Sequence, residues 1–340
     1  MIFTPPPHLN YQSDIKMAPI AIVYCSDSQG ADFMLVAIKS ALHNNPGADL
    51  DIHILSDNLP PETLSALSHL QSTFGCSITT HFIDSSSLDG LPVVDRPDLK
   101  IPLAMYFRFF IGDALPASVS RVLYLDTDTI VDTPLDELWL TDLGDNILAA
   151  VAEPFLAGHP HLKEIGLGQD DFYFNSGMML IDLNRFRAED IGGRCLDWVR
   201  HNPDIAVSPD QDALNAIVNR RVLPIHPRYN LHYTFMLRTN YGRMVTTDAW
   251  DEALSSPAVI HFSGCKPWLR YHWGMKSFFT DRYTYYRDLS PATHVNNRPV
   301  VKLCSRAGYI KSLIKNSVMF RGIYRLCPGF WSRMSRIFPK

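Results

Sequence analysis

Paired cysteines, long apolar runs and a strong excess of either charge are all missing from this sequence. Its six cysteines, at 25, 76, 195, 265, 304 and 327, form no CxxC and follow no regular spacing. A disulfide scaffold is therefore excluded, and the cysteines read as buried thiols of a reducing compartment, which places the protein in the cytoplasm. No apolar run reaches the ~18 residues that a membrane-spanning helix needs, so no segment is expected to cross a bilayer. Pro5, Pro6 and Pro7 stand near the N-terminus with no basic stretch ahead of an apolar core, so no signal peptide is expected. With 18 glycines and 24 prolines in 340 residues, and with 46% hydrophobic against 19% charged side chains, the chain is neither collagen-like nor wholly disordered. What remains is a globular chain large enough for about two domains or one compact α/β enzyme.

The net charge of −4 conceals an asymmetry. From Leu289 to Lys340 there are ten Lys/Arg and no Asp/Glu, so the rest of the chain carries 21 basic and 35 acidic residues. An acidic body argues against a nucleic-acid partner, whose footprint is a basic surface on the folded domain. The tail interleaves its cations with Tyr309, Phe320, Tyr324, Phe330, Trp331 and Phe338. That mixture suits a helical segment lying on an anionic membrane surface, or a solvated basic helix packed on the acidic body. Three regions are thus expected: an extension over 1–17, a catalytic domain over 18–288, and a basic aromatic tail over 289–340.

Hydrophobic patterning predicts strands at Ile20–Tyr24, Leu50–Leu55 and Ser77–Ile83, separated by helices at Phe33–His43 and Pro61–Thr73. This alternation predicts βαβ units and a mostly parallel, Rossmann-like sheet flanked by helices. Ligands in such sheets bind beyond the carboxyl ends of the strands. Three later apolar runs end in residues able to do chemistry. Arg121–Leu125 leads into Asp126-Thr127-Asp128, and Val259–Phe262 leads into Ser263-Gly-Cys-Lys-Pro-Trp268. The third, Phe172–Ile181, encloses Asn175-Ser176-Gly177.

Asp126 and Asp128 would face one side of the sheet on a regular strand, whereas a turn at the strand end lets both carboxylates converge. A converging pair repels itself unless a cation lies between, which makes it a candidate site for Mg²⁺ or Mn²⁺; otherwise these are two exposed loop aspartates. His261, added to such a pair, shifts preference toward Mn²⁺, though alone it reads as a core or edge histidine. Lys266 and Trp268 change its meaning, because a cation beside a metal is what a diphosphate needs. Asp210-Gln211-Asp212 precedes the helical pattern Ala213–Val218 and reads plainly as acidic residues at a helix N-terminus.

Leu123-Tyr-Leu-Asp-Thr-Asp128, Tyr173-Phe-Asn-Ser-Gly177, Asp210-Gln-Asp212 and His261-Phe-Ser-Gly-Cys-Lys-Pro-Trp268 occur in one order along the chain. Together they resemble the family 8 glycosyltransferases, in particular bacterial lipopolysaccharide α-galactosyl- and α-glucosyltransferases, over roughly residues 19 to 275. The resemblance implies a GT-A fold and retaining hexose transfer from a UDP-sugar to a lipooligosaccharide or other glycan. It implies Mn²⁺, with Mg²⁺ as the substitute, held by Asp126, Asp128 and His261. It implies that Asp27 binds uracil, that Arg108, Asn175 and Asp210 contact the donor sugar, and that Gln211 faces the anomeric carbon. Gly264 and Lys266 match diphosphate contacts, Thr127 and Ser176 lie within the substrate-binding motifs, and Glu153 and Phe155 fall where the family meets its acceptor. The family's basic tail associates with the inner membrane leaflet, which gives an expectation of peripheral attachment there.

Two positions depart from the family pattern. Gly30 stands where a tyrosine often stacks on uracil, and the loop between Gly264 and Lys266 is one residue short, which shortens the reach of Lys266. Gln211 is a poor nucleophile, so front-face substitution is favoured over a covalent route through Asp210 or Asp212. Three other readings stand against the transferase. Leu125-Asp-Thr-Asp-Thr129 also fits an aspartyl-nucleophile phosphatase, but that signature usually opens its domain. The two departures fit a sugar-nucleotide binder without turnover, and the abundant tyrosines fit a self-glucosylating glycogen primer.

Overall fold

The computed structural model of the chain describes residues 18–96, 99–232, 245–263, 266–268 and 279–291. The 1–17 extension, Gly264, Cys265 and the tail from 292 onward lie outside the described residues. Among the described residues no helix is long and apolar enough to cross a membrane.

The strands are β1 (Ile20–Cys25), β2 (Leu50–Ser56), β3 (Ser77–Phe82), β4 (Val94–Arg96), β5 (Leu99–Ile101), β6 (Arg121–Leu125), β7 (Thr129–Val131), β8 (Leu148–Ala152), β9 (Phe174–Asp182), β10 (Val222–Pro224), β11 (Leu231–His232) and β12 (Val259–His261). The longer helices are α1 (Ala31–Asn44), α2 (Pro61–Phe74), α3 (Ile191–His201), α4 (Pro209–Val218), α5 (Thr247–Ser255) and α6 (Thr280–Leu289). Seven strands form the main sheet in the order β10-β8-β9-β6-β1-β2-β3. β1 is parallel to β2 and β6, β2 to β3, and β8 to β10, while β9 runs antiparallel to both β6 and β8. The expected mostly parallel α/β sheet is therefore present, with one reversed strand inside it. β1, β8 and β9 are buried along almost their whole length, as strands covered on both faces must be.

A second, three-stranded sheet has the order β11-β12-β7. The chain leaves the main sheet at Leu125 and enters the small one at Thr129, so the Asp126-Thr127-Asp128 turn occupies the joint between them. β12 is antiparallel to β7 and pairs His261 with Thr129, which sets the imidazole beside that turn. Helix α1 braces the joint: Ser40 Oγ accepts the Val131 N–H at 2.9 Å, Asn44 donates to the Val131 carbonyl at 2.8 Å, and Asn45 accepts the Leu135 N–H at 2.8 Å. These three polar side chains satisfy backbone groups near the small sheet, which would otherwise be costly to bury.

The described cysteines, Cys25, Cys76 and Cys195, are free thiols.

Candidate functional site

Asp126, Asp128 and His261 meet, their ligand atoms all within 4.8 Å of one another. His261 Nε2 lies 3.5 Å from Asp126 Oδ2 and 3.2 Å from Asp128 Oδ1. The imidazole is buried, whereas the two carboxylates keep 22% and 15% of their side-chain surface in solvent, so the cluster opens on one side. Thr127 between them is half-buried. Gly177 closes the far side: a Cβ there would lie 2.1 Å from His261 Cε1 and 2.8 Å from Asp126 Oδ2. This donor set, two carboxylates and one imidazole with ligand atoms within 4.8 Å of one another, fits a divalent cation such as Mn²⁺ or Mg²⁺.

Lys266 reaches this cluster despite its shortened loop, donating to Asp128 Oδ2. Trp268, two residues on, stacks on Phe33 of α1 with ring centroids 3.9 Å apart, and this anchors the Lys-Pro-Trp segment. Burial pushes the Asp128 carboxyl up, but Lys266 and then His261 outweigh it and hold the group below the usual carboxylate range.

Arg108 belongs to a 3₁₀ segment, Leu103–Phe110, and is 6% exposed. The segment lies close under α3, where a Cβ on Gly192 would sit 2.0 Å from the Phe109 carbonyl oxygen. Its guanidinium donates to Asp126 Oδ1 at 2.9 Å, to Ser176 Oγ at 2.8 Å and to the Met105 carbonyl at 2.9 Å, and pairs with Asp210 Oδ2 at 3.0 Å. It also lies over the Tyr124 ring. Arg108 thus joins the cluster to the first turn of α4. Burial raises the Asp210 carboxyl and Arg108 opposes it, with the net shift upward.

Helix α4 starts at Pro209, so Asp210, Gln211 and Asp212 lie in its first turn rather than ahead of it. Two positions apart on a helix means about 200° of rotation, and the two aspartates point to different surroundings. Asp212 is 1% exposed and turns away from the cluster. Its carboxylate accepts the Tyr173 hydroxyl at 2.6 Å and the Val207 and Ser208 N–H groups at 2.8 and 3.0 Å, and lies 3.1 Å from His161 Nε2. Gln211 Oε1 accepts the Ser176 N–H at 3.0 Å, which leaves its Nε2 to donate to Tyr173 at 3.2 Å. The amide of Gln211 is therefore held from both ends.

Asn175 on β9 donates to Glu153 Oε2 at 3.2 Å and accepts the Gly177 N–H at 3.0 Å. Glu153 is buried, while Phe155, two residues on, is 53% exposed. Asp27 Oδ1 accepts the N–H groups of Gln29 and Gly30 at 2.9 and 2.8 Å, capping the entry to α1. A Cβ at Gly30 would lie 2.8 Å from Ser26 Oγ, so a bulky ring there would displace that hydroxyl.

Direct contacts join Arg108, Asp126, Asp128, Ser176, Asp210, Gln211, His261 and Lys266 in one network; the hydrogen bonds of Asp27 are local. Sequence reasoning passed over several members of this region. Tyr124 donates to Asp126 Oδ1 at 2.6 Å, and Asn230 accepts from His261 Nδ1 at 3.0 Å. Gly177 stood inside a named motif, but its steric role is invisible without the imidazole behind it. Tyr124, in β6, sits two residues before Asp126 in the turn that follows, a spacing that could have flagged it. His161 and Asn230 carry no spacing signal.

Residues 21–272 match the family described as Glycosyl transferase family 8. General stress protein A of Bacillus subtilis (strain 168) is 28% identical over 283 residues, covering 81% of this chain and 96% of that protein. Lipopolysaccharide 1,2-glucosyltransferase of Escherichia coli (strain K12) is 26% identical over 258 residues, 73% of this chain and 72% of that one. Among solved structures, the galactosyltransferase LgtC in complex with donor and acceptor sugar analogs superposes with a TM-score of 0.71 at 27% identity, over 80% of this chain and 96% of that one. The sheet and its helices match the GT-A fold of that structure.

Proposed function

The chain belongs to glycosyl transferase family 8, and from that premise we propose that it transfers galactose or glucose, with retention, from a UDP-sugar to a lipopolysaccharide-type or other glycan. The observation that carries this reading is the convergence of Asp126, Asp128 and His261 with Lys266 beside them. Two acids, an imidazole and a neighbouring ammonium suit a divalent ion shared with a diphosphate. The similarity to a lipopolysaccharide glucosyltransferase and to a galactosyltransferase supports the hexose and the acceptor class.

Asp126, Asp128 and His261 would hold Mn²⁺, or Mg²⁺ in its place. Bound there, the ion supplies Lewis-acid stabilisation of the departing diphosphate. Lys266, free to exchange its Asp128 partner for phosphate oxygens, adds positive charge where negative charge develops. Arg108 bridges Asp126 and Asp210 through contacts of 2.9 and 3.0 Å, so both stay fixed while substrate enters. The Gln211 amide, locked by the Ser176 N–H and Tyr173, presents a rigid polar surface that needs no reorganisation. Asp212 supports that surface through Tyr173 and, buried and fully hydrogen-bonded, makes no attack itself. With no free carboxylate offered by Asp212, with Asp210 paired to Arg108 and with a weak nucleophile at Gln211, front-face substitution remains the favoured route. The Asp126 carboxylate is engaged by Tyr124, Arg108 and His261, which argues against its acting as a phosphatase nucleophile.

The basic tail beyond residue 291 is proposed to attach the enzyme to the anionic inner face of the cytoplasmic membrane. The charge asymmetry of the sequence supports this. Mass spectrometry of products from a panel of UDP-sugars, with extracted lipooligosaccharide as acceptor, tests the function. One hexose added per acceptor is expected; no transfer from any UDP-sugar would overturn the reading.

A further inference from the structure

The hydrogen bonds behind His261 can be given a direction, because one of them starts from a backbone group that cannot be flipped. The Gly177 N–H donates to Asn175 Oδ1 at 3.0 Å. This fixes the Asn175 amide, whose oxygen must lie on that side and whose Nδ2 must point to Glu153 Oε2, 3.2 Å away. Asn230 approaches the same Asn175 oxygen at 2.9 Å, so it presents its own Nδ2 there. Its oxygen is then left facing His261 Nδ1 at 3.0 Å. An amide oxygen only accepts, so Nδ1 must carry a proton.

We infer that Asn230 is a positioning residue that holds the proton of His261 on Nδ1, so that Nε2 is the nitrogen left to meet a cation held between Asp126 and Asp128. Donation runs one way, from His261 through Asn230 and Asn175 to the Glu153 carboxylate, which ends the chain as a pure acceptor. Every member is buried: Asn230 is 0% exposed, His261 3%, Asn175 6% and Glu153 7%. With water excluded, reversing any amide would set two donors or two acceptors face to face with nothing to satisfy them. His232 flanks the acidic end, its Nε2 donating to the Ala152 carbonyl at 3.1 Å and its Nδ1 lying 3.6 Å from Glu153. A histidine offers a metal only the nitrogen that its other hydrogen bond leaves unprotonated, and such supporting partners set affinity. The arrangement also ties Glu153, at the proposed acceptor side, to the metal side through two amides.

This inference deepens the metal reading and rests on it for its second measurement, but not for its first. In the full chain labelled with ¹⁵N-histidine and freed of metal, long-range ¹H–¹⁵N correlations at alkaline pH report which His261 nitrogen is protonated. His261→Ala assigns the signal. Nδ1–H is expected, and Nε2–H in the wild type would overturn the inference. The second measurement is calorimetric titration with Mn²⁺ alone. Asn230→Leu keeps the volume but cannot accept, and its Mn²⁺ affinity should fall roughly 10–100-fold, with the Nδ1–H signal replaced by a mixture. Wild-type affinity in a folded Asn230→Leu would also overturn the inference. Should that variant fail to fold, the wild-type correlation still decides. A wild type that shows Nδ1–H yet binds no Mn²⁺ would support the assignment while sinking the metal reading, so the two failures are distinguishable.

Discussion

Gly177 and His261 leave no space between them: a methyl group on Gly177 would overlap the imidazole at 2.1 Å from Cε1 and 2.6 Å from Nδ1. The ring is buried and hydrogen-bonded to Asn230, so it cannot swing aside freely. Gly177→Ala is expected to lose about 1–3 kcal/mol in stability from overpacking. It should also weaken Mn²⁺ binding, because the same methyl presses on Asp126 Oδ2. Urea unfolding and metal titration check both effects; a variant with wild-type stability would show that the ring relaxes.

Arg108 pairs with Asp126 and Asp210 in a site where its own side chain is 7% exposed. Removing one member of a buried charge group strands the others. Arg108→Met should therefore cost about 3–5 kcal/mol in urea unfolding, and Asp210→Asn should cost less, since one carboxylate still faces the guanidinium. Equal costs would contradict this picture.

The strands with apolar runs bounded by turn residues were legible in the sequence: Arg121–Leu125 has the expected bounds, and Asp126 and Asp128 converge in a turn as read. Direction was not legible. β9 is buried on both faces, and periodicity carries no sign for a strand reversed between two neighbours. The helical pattern reads as beginning at Ala213, with Asp210-Gln211-Asp212 at its N-terminus, whereas α4 already begins at Pro209, proline being favoured in a first helical turn. Hence the divergence of Asp210 and Asp212 was missed. Asn230 escaped because a lone asparagine in Arg228-Tyr-Asn-Leu-His232 signals nothing until the fold brings His261 and Asn175 to either side of it.

His161 should make stability depend on pH in a definite direction. Burial alone lowers its pKa, but hydrogen bonding to Glu164 and the Asp212 carboxylate outweigh burial and raise it above the usual value. A group held more basic in the folded state contributes its stability fully below the unfolded pKa of about 6.5. That contribution disappears as pH rises through the folded value. The stability difference between wild type and His161→Gln should therefore be largest at mildly acid pH and shrink in alkaline buffer. A difference that grows with pH would contradict the assignment.

Ending the chain after Pro291 keeps α6, which packs on α1 through Tyr286 and Asn44, 2.7 Å apart. The shortened protein should fold normally and lose binding to vesicles containing anionic lipid. Retained flotation with such vesicles would remove the tail from the account.

Release of UDP from UDP-galactose and UDP-glucose, followed with a glycan acceptor present, tests the whole site most directly. The wild type should release UDP with Mn²⁺, stop when the metal is chelated, and resume when it is restored, whereas a folded Asp128→Ala should stay silent throughout. Turnover that continues undiminished under chelation and in Asp128→Ala would contradict the claim that Asp126, Asp128 and His261 form the working centre.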